Sequence, residues 1–96
     1  MPSKENANYP LFEEWTIAEI IQVTEFYQLV EQLYQGKVAR QLFLDKYHSY
    51  LKIVPMKAAQ KQLDRQFQAE TGCSIYRAVK FVTAHQQAKL HFNEQI

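Results

Sequence analysis

Residues 15–36 read WTIAEIIQVTEFYQLVEQLYQG, and this stretch predicts an amphipathic helix over residues 17–35. Thr16 and Glu19 have the T-x-x-E spacing of a capping box, in which each side chain accepts a hydrogen bond from a backbone N–H at the helix start. Apolar residues then recur every three or four positions, which places them on one wide face. Gly36 is expected to take the left-handed conformation that often follows a helix.

Three further helices are predicted after this one, and residues that stop helices separate them. The second covers roughly residues 38–54, because Pro55 disfavours helical geometry at the residue before it. The third covers residues 56–71, with Pro55 suited to its first turn and the following glycine at its end. Ser74 is expected to cap a fourth helix that ends between residues 87 and 92. The prediction is an all-α fold, with four helices in a compact bundle or irregular array joined by short connections.

The composition limits the classes of protein to which the chain can belong. Its 96 residues suit a single domain over residues 1–96, and 11 basic against 10 acidic residues argue against a general polyanion binder. One cysteine excludes an internal disulfide framework, and two glycines with three prolines leave few turns for an all-β fold. Neither a signal peptide nor a membrane-spanning stretch is recognisable, so a cytoplasmic protein without membrane contact is expected. Residues 1–8 and about 92–96 are expected to be flexible.

The segment before the first helix is rich in aromatic residues: it contains Tyr9, Pro10, Phe12 and Trp15. We expect these side chains to lie across the helices and to close one end of a thin core. The alternative is an exposed aromatic patch that contacts a partner.

Four segments of the chain occur in a characteristic order. They are Tyr9-Pro10 before Trp15-Thr16, FYQLVEQLYQG at residues 26–36, VPMKA at residues 54–58 followed by Lys61, and GCSIYR at residues 72–77. Together they resemble the small bacterial YktA-like proteins (uncharacterised protein family 0223), over roughly residues 9–90. The resemblance implies a compact, all-helical, cytoplasmic protein and carries no established activity. Met56 and Cys73 depart from the family pattern, which more usually has a small residue and an aromatic residue there.

Residues that could hold a metal or perform catalysis do not form a recognisable pattern. His85 and His91 are six positions apart, about 240° around a helix, so they do not share a face. The one favourable feature of Cys73 is its predicted place near the start of the fourth helix, where the pKa of a thiol can fall. A lone cysteine is more often a small packing residue. We therefore expect no catalytic, cofactor-binding or metal-binding residues, and a protein that is not an enzyme.

The near-zero net charge conceals an asymmetry between the two halves of the chain. The first 55 residues carry five basic and seven acidic side chains, whereas the remainder carries six basic and three acidic ones. Three cations recur every four positions along one side of the third helix, and a tyrosine and a further cation begin the fourth. The candidate partner-binding residues are Lys57, Lys61, Arg65, Tyr76 and Arg77. The alternative is an ordinary solvated face opposite the apolar stripe of the third helix.

The leading functional hypothesis is a helical interaction module that binds another protein, with the basic face favouring an acidic one. The competing hypothesis is a helix-turn-helix DNA-binding protein built on helices three and four, because residues 67–74 (FQAETGCS) resemble the turn region of AraC-type regulators. The excess charge of +3 in this half of the chain is low for such a role. A homodimer is a second kind of protein partner, since a thin core rich in aromatics can leave apolar surface to be covered.

Overall fold

The computed structural model describes residues 9–93, which form four helices and a two-stranded ribbon. The elements are, in chain order, α1 (Ile17–Gln35), β1 (Val38–Ala39), α2 (Arg40–Ile53), α3 (Lys57–Thr71), α4 (Ile75–Ala84) and β2 (Lys89–Leu90). The radius of gyration is 12.9 Å, close to the value of about 12.5 Å expected for a compact chain of this length. The predicted all-α fold is confirmed, with a very small ribbon added to it.

Helix α1 begins as its local sequence predicts. The Thr16 hydroxyl accepts a hydrogen bond from the Glu19 N–H at 3.1 Å, and the Glu19 carboxylate accepts one from the Thr16 N–H at 2.9 Å. The helix buries one face against the other three helices. Its buried residues are Val23, Phe26, Tyr27, Leu29, Val30 and Leu33. The predicted bounds and the capping box of this helix are therefore both confirmed.

The end of α1 differs from the prediction. Gly36 has φ −168° and ψ −159°, which is extended backbone, so the expected left-handed conformation is wrong. The Gly36 N–H still donates to the Gln32 carbonyl at 2.8 Å and closes the last helical turn. The extended backbone then leads the chain directly into β1, two residues later.

The β1–β2 ribbon changes the predicted bounds of two helices. Val38 pairs with Leu90 and Ala39 with Lys89 in an antiparallel register, and Val38 and Leu90 are both buried. The second helix therefore begins at Arg40, not at residue 38, and the fourth ends at Ala84, not between residues 87 and 92. Burial of two distant apolar residues favours an extended chain at both places, although either segment could continue a helical pattern.

Arg40 fixes the C-terminal end of α4 beside this ribbon. Its Nε donates to the Val82 carbonyl at 3.1 Å and to the His85 carbonyl at 2.7 Å, which are groups left without partners where a helix ends. Its backbone N–H donates to the Ala88 carbonyl at 2.8 Å. A cation at this position also interacts favourably with the negative end of the helix dipole.

Pro55 separates α2 from α3 as predicted. Val54 leaves helical geometry with φ −124° and ψ 75°, and α3 begins at Lys57 with Met56 as its N-terminal cap residue. Pro55 thus lies just before the cap and not in the first turn of α3, which is a small correction to the predicted start.

The N-terminal aromatic segment packs against the core, which confirms that its side chains lie across the helices. The Tyr9 ring lies 5.3 Å from the Tyr27 ring and 5.9 Å from the Phe67 ring, measured between centroids. The buried Tyr27 hydroxyl donates to the Pro10 carbonyl at 2.9 Å, and Trp15 is buried. These contacts fix the segment across the face shared by α1 and α3.

The described part of the C-terminal segment also packs on the helices. The Phe92 ring lies 4.8 Å from that of Phe81 and 5.0 Å from that of Tyr34, and the Phe92 N–H donates to the Leu33 carbonyl at 2.9 Å. Phe92, where the predicted flexible tail begins, is thus held against α1 and α4. The remaining tail predictions concern mainly residues 1–8 and 94–96, which lie outside the described residues.

Candidate functional site: a basic groove between three helices

The α3–α4 junction fixes the geometry of the candidate site. Gly72 has φ 80°, a left-handed conformation that an L side chain adopts only with strain, and it ends α3 as predicted. The Ser74 hydroxyl then accepts a hydrogen bond from the Arg77 N–H at 3.2 Å, so the predicted cap of α4 is also confirmed.

Asp64 adds a second cap to α4 from the neighbouring helix. Its Oδ1 accepts a hydrogen bond from the Ile75 N–H at 2.7 Å, and its Oδ2 accepts one from the Tyr76 N–H at 3.3 Å. The Ser74 hydroxyl donates to the same carboxylate at 3.4 Å. The negative charge of Asp64 therefore lies at the positive end of the α4 dipole, where it holds α3 and α4 together.

A groove of about 660 Å³ opens between α2, α3 and α4. Buried and half-buried side chains form its floor, and its exposed rim carries four cations beside Gln68, Tyr76 and Thr83. The floor residues are Tyr47, Tyr50, Ile75 and Val79; the rim cations are Lys57, Lys61, Arg65 and Lys80. We call this feature the basic groove.

The structure brings together four of the five predicted partner-binding residues. Lys57, Lys61, Arg65 and Tyr76 all line the basic groove, whereas Arg77 does not. Tyr76 is 63% exposed, and the Lys80 Nζ lies 5.6 Å from the centre of its ring, within the range of a cation–π interaction. Tyr76 is therefore a surface residue of the groove and not part of the core.

Sequence reasoning missed the contribution of α2 to this site. Tyr47 and Tyr50 lie on the groove side of α2, yet their spacing in the sequence indicates only a core-facing stripe. Lys80 belongs to the basic half of the chain, but its position in the same groove as the α3 cations follows only from the packing of α4. No local signal in the sequence places these three residues beside Lys61.

Tyr50 carries a buried hydroxyl with an unusual environment. The residue is 2% exposed, and its hydroxyl has no hydrogen-bond partner among residues 9–93. Its ring centroid lies 4.8 Å from that of Phe26, which fixes the side chain at the base of the groove. Burial raises the pKa of Tyr50 well above its ordinary value, and the nearby Asp64 carboxylate raises it further. The hydroxyl is protonated near neutral pH, as tyrosine ordinarily is, and can donate a hydrogen bond.

The rim cations make no ion pair with another group in the described part of the chain. An ion pair outside the groove joins Lys46 to Glu25 at 2.7 Å. Asp64 is the carboxylate among the groove-lining residues, and its oxygens already accept hydrogen bonds at the start of α4. The groove is consequently a region of positive potential above an apolar floor.

Residues capable of metal binding do not converge anywhere within residues 9–93 in a group of three or more. The His85 ring lies tilted against Phe81, with 4.2 Å between the ring centroids, and the His91 Nε2 lies 3.3 Å from the Tyr34 carbonyl oxygen. Both histidines therefore contact groups at the surface of the core. Within the same residues, no helix combines the length and the apolar character needed to cross a membrane.

Within residues 9–93, the fold is a compact array of four helices, and three of these helices form the basic groove. The chain belongs to the uncharacterised protein family UPF0223, whose model matches residues 6–91. A UPF0223 protein of Lactococcus lactis subsp. cremoris (strain MG1363) is 46% identical over 81 residues, covering 84% of this chain and 87% of that protein. A UPF0223 protein of Streptococcus thermophilus (strain CNRZ 1066) is 40% identical over 85 residues, covering 88% and 91%. These relatives confirm the resemblance seen in the sequence.

Proposed function

We propose that this protein is a non-enzymatic, cytoplasmic binding module whose basic groove receives an acidic part of a partner protein. The observation that supports this proposal is the convergence of four cations from two helices around an apolar floor. A cytoplasmic location suits the single, half-buried Cys73, because thiols stay reduced in that compartment.

An ordinary solvated face would not require this arrangement of charges. Lys57, Lys61 and Arg65 are four residues apart on α3, and like charges at this spacing destabilise a helix by about 0.2–0.5 kcal/mol per pair. Lys80 approaches the same groove from α4 and adds to the repulsion, which the single carboxylate of the lining, Asp64, offsets only in part. An acidic partner would relieve this repulsion at the moment of binding, which favours a binding role over a merely solvated one.

The groups that line the groove favour binding over acid–base chemistry. A tyrosine hydroxyl is ordinarily protonated near neutral pH, and burial raises the pKa of Tyr47 and of Tyr50 further, so both stay in the neutral form there. The Asp64 carboxylate is held by donors from α4, which leaves it positioned as a helix cap. These side chains can therefore orient a ligand more readily than they can transfer its protons.

The proposal is tested by affinity capture from the native lysate with three forms of the full chain. The wild type and the control Lys37→Glu/Lys89→Glu, which changes exposed cations outside the groove, should retain the same stoichiometric protein. The groove variant Lys61→Glu/Arg65→Glu should lose it while keeping the helical circular dichroism signal, because both side chains are exposed. Equal capture by all three forms would contradict the proposal.

The same experiment separates the helix-turn-helix hypothesis from protein binding. Tyr76 and Lys80 of α4 line a concave groove together with α3, whereas a recognition helix must present a protruding face to the major groove of DNA. Co-purifying nucleic acid that nuclease treatment removes, together with a gel shift on duplex DNA at low salt, would favour DNA binding instead.

A further inference from the structure

We infer that the segment bound by the basic groove is an acidic amphipathic helix, with a row of carboxylates beside a row of apolar side chains. The inference rests on the proposed function and identifies the conformation and chemistry of the partner. It follows from the backbone of the groove walls, the spacing of the rim cations and the character of the floor.

The groove walls leave no backbone edge to which an extended peptide could add. Every residue that lines the groove belongs to α2, α3 or α4, so the walls present helices and no strand; the first N–H groups of α3, beginning at Lys57, have no side-chain cap. The first N–H groups of α4 are bonded to Asp64 and Ser74. An extended peptide would therefore find no strand edge with which to pair its backbone groups, whereas a helix satisfies most of these groups internally.

The spacing of the α3 cations matches that of another helix. Lys57, Lys61 and Arg65 are four residues apart, which places successive cations about 6 Å apart along the α3 axis. Acidic residues at every fourth position of a helix lying alongside α3 have the same repeat. Three carboxylates can therefore face three cations in register, and Lys80 can contact the bound helix from the α4 side.

The floor of the groove explains why the bound helix should carry a row of apolar side chains. Ile75 and Val79 of α4 and the Tyr47 ring of α2 form an apolar surface beneath the cations. The volume of about 660 Å³ lies within the range of about 300–1,000 Å³ typical of ligand pockets and holds a few side chains but not a folded domain. A short helix with apolar residues next to its carboxylates fills this space and keeps its charges at the rim.

The test uses two pools of fluorescent peptides, each about 15 residues long and based on an alanine-rich helix. The first pool has glutamate at every fourth position and varied apolar residues at the position before each glutamate. The second pool has the same composition in a scrambled order. In fluorescence anisotropy with the full-length protein, the first pool should bind at least about tenfold more tightly than the second. The Lys61→Glu/Arg65→Glu variant should remove this preference, and the Lys37→Glu/Lys89→Glu control should retain it.

The possible outcomes distinguish this inference from the proposed function. Equal binding of both pools, binding of neither pool, or tighter binding of a proline-containing extended acidic peptide would overturn the inference. If lysate capture still depended on Lys61 and Arg65 in any of those cases, the proposed function would stand without it. Concentration-dependent dimerisation that the groove variant abolishes, measured by sedimentation, would also overturn the inference by assigning the groove to a second copy.

Discussion

Replacing Tyr50 with phenylalanine removes one oxygen atom from the base of the basic groove and leaves the ring contacts in place. The hydroxyl is buried and has no hydrogen-bond partner within residues 9–93, so in the folded state it has lost its hydration without gaining a bond. An unsatisfied buried polar group costs about 1–3 kcal/mol. We therefore expect Tyr50→Phe to raise the free energy of unfolding by about 1 kcal/mol or more, and Tm by about 4–8 °C per kcal/mol.

Tyr27→Phe provides a matched control in the same core. Tyr27 is also fully buried, but its hydroxyl donates to the Pro10 carbonyl at 2.9 Å. Its removal should lower the free energy of unfolding by about 1 kcal/mol, because the carbonyl loses its partner. Urea unfolding followed by circular dichroism measures both changes. If Tyr50→Phe destabilised the protein as much as Tyr27→Phe, the Tyr50 hydroxyl would have a bonding partner in solution and the reasoning would fail.

Three further predictions follow from the backbone, the cap of α4 and the buried tyrosines. Gly72→Ala should destabilise the fold by about 1 kcal/mol, because the backbone φ of Gly72 is 80°. Gly36→Ala should be neutral or stabilising, because the Gly36 backbone is extended and nothing lies within 4 Å of an added Cβ. The urea midpoint of Gly72→Ala should therefore be lower than that of Gly36→Ala. Asp64→Ala should cost about 1–3 kcal/mol and speed amide exchange in the first turn of α4, and unchanged exchange would contradict its capping role. The free energy of unfolding should fall as pH rises above 10.0, the ordinary tyrosine pKa. Burial raises the folded-state pKa of Tyr27 and Tyr50, so just above pH 10.0 these two hydroxyls ionise in the unfolded chain and not in the folded one. A urea midpoint that stayed constant up to pH 11 would refute this prediction.

The structural features that depend on residues close together in the sequence, such as helix caps and breaks, could be predicted. Thr16 and Glu19 bond each other across three residues, and Ser74 bonds the Arg77 N–H across three, so both caps depend on local chemistry. Pro55 breaks the helix through its own ring. These signals located α1, the α2–α3 break and the start of α4.

The structural features that depend on contacts between residues far apart in the sequence could not be predicted in this way. Val38 and Leu90 pair across most of the chain, and their joint burial decides that both are extended, whatever their local preference. The same holds at the candidate site. Four of its residues form a visible pattern on helices three and four, but Tyr50 and the capping role of Asp64 depend on how α2 and α4 pack beside α3.

The β1–β2 ribbon has a consequence for the order in which the molecule assembles. Its pairs join residues about fifty positions apart, so closing it costs about 2 kcal/mol more chain entropy than closing the short connection of the α1–α2 hairpin. The hairpin should consequently form early in folding and the ribbon late. In the folded protein, the amides of the ribbon should exchange with solvent through a partial opening that leaves α1 intact. This opening would release Arg40 from the end of α4, so that the last turn of that helix frays before the rest of the core.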